Sequence, residues 1–175
     1  KPSFEALMRK YYVRVFNFIL RIVQRRDAAE DLTQEVFIKV YHAGSAYRPQ
    51  AKFQTWVFTI AKILALNELR RAGKTPVSLD AHFEYDGDEI PQQFEDKNSL
   101  SAEEKLVQKE TARMVKDAVQ SLPEDRRIAV ILRRYEDFSY AEIAESLSCS
   151  VEAVKSLLSR AKETLKKRLA EYVKI

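Results

Sequence analysis

The sequence predicts an all-α fold, built as two small helical domains joined by a flexible acidic linker. Three observations carry that expectation. Only three glycines and five prolines occur in 175 residues, too few for a turn-rich β architecture. Leu, Ala, Glu, Lys and Arg, all strong helix formers, dominate most segments. Apolar residues also recur three and four positions apart, the spacing that gathers them on one face of a helix.

Phe4, Leu7, Tyr11, Val15, Phe18 and Ile22 form the first such stripe, which ends at the basic "QRRD". A second helix is expected from about Asp27, capped by that side chain with Glu30 three positions on, and running to Gly44. After the loop "SAYRPQAKFQ", Ser45 to Gln54, a third helix is expected from about Thr55 to Arg71, stopped by Gly73. These three make the first domain, residues 1–73. Residues 74–100 hold two prolines, a glycine and seven acids without a sustained period, and read as a linker too long for a passive loop inside one domain.

The second domain, residues 101–175, opens with "SAEE", which places Ser101 and Glu104 as a capping box. The helix it starts has Val107, Met114, Val115, Ala118 and Leu122 as its apolar face. Pro123 begins the next helix, with Ile128, Ile131, Leu132 and Tyr135 turned inward. "SYAE" repeats the capping box at Ser139 and Glu142. Ser150 caps the last and longest helix.

Composition excludes several function classes. No apolar run reaches the roughly 18–20 residues that span a bilayer, and the first residues lack a secretory core, so no membrane insertion and a cytoplasmic location are expected. One cysteine, Cys149, and two histidines leave no disulfide and no metal-ligand cluster, and no cofactor is expected. There is no glycine-rich phosphate loop and no nucleophile paired with a base, so the chain is not read as an enzyme.

The net charge of +4 is unevenly placed. Residues 1–73 carry 13 Lys/Arg against 6 Asp/Glu, residues 74–100 carry 2 against 7, and residues 101–175 carry 15 against 13. Two basic lobes flanking an acidic connector fit a polyanionic partner, or simply a mixed-charge solvated exterior.

The segment "SYAEIAESLSCSVEAVKSLLSRAK" narrows that choice. Ile143, Ala144 and Leu147 of its first helix can face Val151, Val154 and Leu158 of its second across the three-residue turn "SCS". This is the helix-turn-helix pattern, in which the first turns of the second helix enter the major groove. Lys155 and Arg160 suit phosphates or guanine edges, and Ser156 and Ser159 offer short hydroxyls. An αα-hairpin with a solvated basic face is the structural alternative.

From "SLPEDRRIAVILRRYEDFSYAEIAESLSCSVEAVKSLLSRAKETL" the chain resembles region 4 of bacterial sigma factors. "DAAEDLTQEVFIKVY" and "FQTWVFTIAKILALNELRR" are similar to their region 2. With only these two regions, joined directly, the layout resembles the extracytoplasmic function (ECF) group. The resemblance implies a promoter-specificity subunit of RNA polymerase that acts without an enzymatic activity of its own and needs no homo-oligomer.

It implies that the second helix, through Asp31, Gln34, Glu35, Phe37 and Lys39, docks on the clamp helices of the polymerase β′ subunit, and that region 4 meets the β flap. It places the minus-ten promoter element at the loop and third helix, with Tyr47, Arg48, Lys52, Phe53, Trp56, Lys62, Asn67, Arg70 and Arg71 as candidates. Single-stranded bases stack on such rings while cations hold the backbone. It places the minus-thirty-five element at Ser150, Glu152, Ala153, Lys155, Ser156, Ser159 and Arg160.

Two departures stand out. Many members have asparagine where this chain has Ile63, leaving Asn67 one turn on to supply an amide. Glu152, Ala153 and Leu157 stand where many have Gly, Thr and Arg. The resemblance also implies an anti-sigma factor as regulator, and a linker lying in the RNA exit path of the polymerase. A stand-alone, dimeric helix-turn-helix regulator is the competing function; it requires an inverted repeat with half-sites about one helical turn apart.

Overall fold

Ser3 starts the first helix, α1 (Phe4–Val23), by accepting the Ala6 N–H on its hydroxyl at 3.2 Å. The computed structural model describes residues 3–44, 51–74 and 101–173. The expected linker therefore falls almost wholly outside the described residues. Around it the chain divides into two compact units, one holding α1 to α3 and the other α4 to α7.

In the first unit α1 packs against both α2 (Arg26–Ala43) and α3 (Phe53–Lys74). That double contact explains why burial on α1 is wider than one stripe. Val15, Phe18 and Ile22 are buried as expected, and so are Phe16, Ile19 and Leu20 on its other flank. Phe18 meets Phe58 of α3 edge to face at 5.1 Å, and Val36 and Val40 of α2 close the core.

Two expected boundaries are corrected. α2 begins at Arg26, and Asp27 lies inside its first turn without capping it. The carboxylate of Asp27 is held chiefly by Arg25 at 2.8 Å, while Glu30 is engaged by Arg26 at 3.1 Å, so both acids are paired with local guanidinium groups. α3 starts two residues before Thr55 and continues through Gly73 to Lys74. A Cβ on Gly73 would meet nothing within 4 Å, so the glycine sits in an open final turn and does not end the helix.

The second unit contains α4 (Ala102–Gln120), α5 (Glu124–Arg134), α6 (Tyr140–Leu147) and α7 (Val151–Val173), with α7 touching all three others. Both predicted capping boxes form, each with the serine hydroxyl accepting the backbone N–H three residues on and the glutamate accepting the serine N–H. Replacing Ser139 by Ala is expected to cost the second unit about 1 kcal/mol, and Ser139→Gly only a few tenths, in urea melts followed by circular dichroism.

Two predicted inward residues are turned outward. Val107 is 58% exposed, because only the C-terminal end of α4 is covered, at Ala118 and Val119. Tyr135 is 40% exposed, because α5 ends at Arg134 and the chain reverses at Asp137, whose φ is 55°. Phe138 fills the core position instead, its N–H donating to the Leu132 carbonyl at 3.1 Å.

Candidate nucleic-acid and partner interfaces

The turn between α6 and α7 is set by Ser148, in the left-handed region at φ 53°, and by the Cys149 N–H donating to the Ala144 carbonyl at 3.0 Å. Cys149 is thus a turn residue held by its backbone. Ile143, Ala144, Val154 and Ala161 are buried between the helices, and Leu157 is half-buried beside them. Ser150 accepts the Ala153 N–H at 3.1 Å and so fixes the first turn of α7.

Burial of that one face leaves Glu152, Lys155, Ser156, Ser159 and Arg160 exposed on the other, with Ala153 half-buried. The two cations are five positions and about 140° apart on α7, on adjoining sides of its exposed surface. Among the described residues neither forms an ion pair, so their donors remain available to an acceptor from outside. Arg133 is a positioning residue that no motif in the sequence marks. Its guanidinium donates to the Phe138 carbonyl at 2.9 Å and lies 5.2 Å over the Tyr140 ring, fixing the entry to α6.

On the first unit, α2 presents Asp31, Gln34, Glu35 and Lys39 to solvent, with Glu35 and Lys39 paired at 3.5 Å. Phe37 does not share that exposed face. It is 3% exposed and stacks on Tyr12 at 5.9 Å, so it anchors α2 to α1 from beneath. The exposed apolar groups next to the polar patch are Ile38 and Tyr41, 56% and 64% exposed, and the Phe4 ring meets Tyr41 edge to face at 5.2 Å.

A groove runs between α2 and α3, with Asp31, Leu32 and Glu35 on one wall and Leu64, Asn67, Glu68 and Arg71 on the other. Arg25 closes its end through Asp27 and through Glu68 at 3.6 Å, and Glu68 holds Arg71 at 2.8 Å. The hydrogen bond from Arg25 holds the Asp27 carboxyl below the usual carboxylate range, and the same bond raises the Arg25 pKa. Asn67 and Arg71, expected at DNA, therefore share a groove with Asp31 and Glu35, expected at polymerase.

At the start of α3 the rings of Tyr11, Phe53 and Trp56 follow one another at 5.5 and 5.9 Å. Lys52 is exposed beside them, and Lys62 is half-buried further along α3. Ile63, Asn67 and Arg70 are exposed on the same helix, so a solvent-facing amide does stand one turn after the isoleucine. Tyr47 and Arg48 lie outside the described residues. Among the described residues no group of side chains is suited to hold a metal ion, and no helix is long and apolar enough to cross a membrane.

Comparison with known proteins follows the same division. Residues 7–75 match the family model for sigma-70 region 2, and residues 112–165 match that for sigma-70 region 4. The chain is 35% identical over 173 residues to the RNA polymerase sigma-H factor of Pseudomonas aeruginosa, covering 97% of this chain and 87% of that protein. It is 32% identical over 178 residues to the ECF RNA polymerase sigma-E factor of Escherichia coli K12, covering 99% and 90%.

Among solved structures, the sigma factor RpoE in complex with the anti-sigma factor NepR from Bartonella quintana aligns with a TM-score of 0.72 at 24% identity, covering 95% of this chain and 96% of that one. CnrH in complex with the cytosolic domain of CnrY aligns at 0.69 and 20%, covering 96% and 88%. Those two likenesses speak for the fold. With both regions present in order, and relatives matched over nearly the whole length, the chain belongs to the ECF group of the sigma-70 family of RNA polymerase sigma factors.

Proposed function

We propose that this sigma factor directs core RNA polymerase to its promoters by binding alone, through surfaces on both of its units. The exposed face of α2 around Asp31, Gln34 and Glu35 docks on the β′ clamp helices. The start of α3 holds the minus-ten strand, and the first turns of α7 read the minus-thirty-five element while region 4 meets the β flap. The observation that carries this reading is the separation of chemistry between the two units. An acid-and-amide face lies on one, and a Lys155 and Arg160 face without an ion pair among the described residues lies on the other.

Weak contacts on two units gain affinity when one partner engages both, because the second contact then forms at high effective concentration. DNA binding by the free chain is correspondingly weak. Ile38 and Tyr41 extend the polar face of α2 with apolar area that a protein partner can bury. The same face suits an anti-sigma factor, the kind of partner that RpoE holds in its complex with NepR. Capture by such a partner would block polymerase docking, and we assign the whole cycle to the cytoplasm.

The test is transcription from a promoter library with purified core polymerase, with and without the chain. Sequence-specific starts that depend on it are the expected outcome. Asp31→Lys is expected to weaken the core complex roughly tenfold without unfolding, since Asp31 is exposed and reversing one interfacial charge removes about 1.4 kcal/mol of binding. A folded chain that never joins core polymerase, yet shifts an inverted repeat as a dimer, would return the stand-alone regulator.

A further inference from the structure

We infer that Lys10 and Arg14 of α1 form a phosphate-binding flank for a single nucleic-acid strand whose bases lie on the Phe53 and Trp56 rings. This rests on the promoter-binding reading of α3 and adds to it a helix that the sequence marks only as core. The two cations are one helical turn apart and converge on one ring. The Lys10 ammonium lies 5.4 Å from the centre of Tyr11 and the Arg14 guanidinium 5.6 Å from it. Phe53 packs on the same Tyr11 ring at 5.5 Å and passes the contact on to Trp56.

Tyr11 itself is buried, so it serves as the shared back wall. Phe53 and Trp56 are partly exposed in front of it, and Lys10 is exposed at its edge. Lys52 is exposed beside Phe53, and the first turn of α3 contains no acid.

Aromatic faces flanked by cations are what a single strand requires: bases stack on the rings without regard to sequence, and the phosphates between them need positive partners a nucleotide's reach away. A purely structural role, with the cations merely resting on Tyr11, would give α1 packing but no response to nucleic acid.

Trp56 is the sole tryptophan of the chain and lies within the site, so it reports occupancy directly. The experiment titrates the full chain with oligo(dT) while following Trp56 fluorescence across a salt series. Quenching is expected, with a logarithmic salt slope that Lys10→Gln makes shallower by about 0.7, as removal of one single-strand phosphate partner requires. Arg14→Lys should keep the wild-type slope, and Arg14→Gln should reduce it like the Lys10 variant.

An unchanged slope in Lys10→Gln, or no quenching of the wild-type chain at low salt, would overturn the flank. Neither result would touch promoter recognition as such. That reading stands or falls on polymerase-dependent starts, so a chain that programs polymerase with an unaltered Lys10→Gln slope loses only the flank.

Discussion

Phe58→Ala is expected to unfold the first unit while leaving the second intact. The Phe58 ring is fully buried, meets Phe18 edge to face, and carries the Arg14 guanidinium 5.5 Å above it. Truncating a core phenylalanine costs about 3–5 kcal/mol through lost burial and the cavity left behind. A domain of this size has only a few kcal/mol in hand, so the loss is comparable to its whole stability. Trp56 belongs to the first unit and reports its unfolding alone, whereas helical circular dichroism reports both. The variant should lose its native Trp56 emission and keep a cooperative helical transition from α4 to α7. If emission and helicity instead disappeared in a single step, the two units would have to fold as one.

Chemistry that closes within one turn of helix is legible in the sequence. The caps at Ser101, Ser139 and Ser150 each join a side chain to a backbone group three residues away, so local spacing alone determines both partners. Asp27 has the same appearance, but α2 begins one residue before it, and Arg25 offers its carboxylate a charge-assisted bond. Tyr135 is misplaced by periodicity because the apolar pattern continues past the point where α5 stops. Nothing local announces the reversal at Asp137 that brings Phe138 inward.

Site residues divide along the same line. The exposure of Lys155 and Arg160 is legible because a buried Val154 and Ala161 leave their face outward whatever the partner helix is. Phe37 is not. Six residues beyond Asp31 it lies about 120° around the helix, and only the position of Tyr12 on α1 decides that this side is covered. The meeting of Asn67 and Arg71 with Asp31 and Glu35 depends on how α2 packs on α3, a long-range fact with no local signature. The same holds for Lys10 and Arg14. Their spacing on α1 is visible in sequence, but their convergence with Phe53 is tertiary.

The largest functional effect is expected from the exposed Lys155 and Arg160 face of α7. If Arg160 or Lys155 bonds a base edge, its replacement by Ala removes about 1–3 kcal/mol of discrimination at one position of the upstream element, roughly a 5- to 150-fold loss on the cognate promoter. If it instead bonds a phosphate, every promoter weakens alike and the logarithmic salt slope of binding falls by about 1. Transcription from cognate and single-base-variant promoters across a salt series separates the two. If both side chains engage the same stretch of DNA, Lys155→Ala with Arg160→Ala need not equal the product of the single effects. Ser150→Ala provides the contrast, since its hydroxyl caps the first turn of α7. Removing that cap should cost about 1 kcal/mol of stability, and it should blur recognition less than removing either cation. Were both cation variants to transcribe every promoter as the wild type does, the first turns of α7 would be excluded as the reading face. Promoter choice would then have to rest on the first unit, where α3 offers Asn67 and the Phe53 and Trp56 rings.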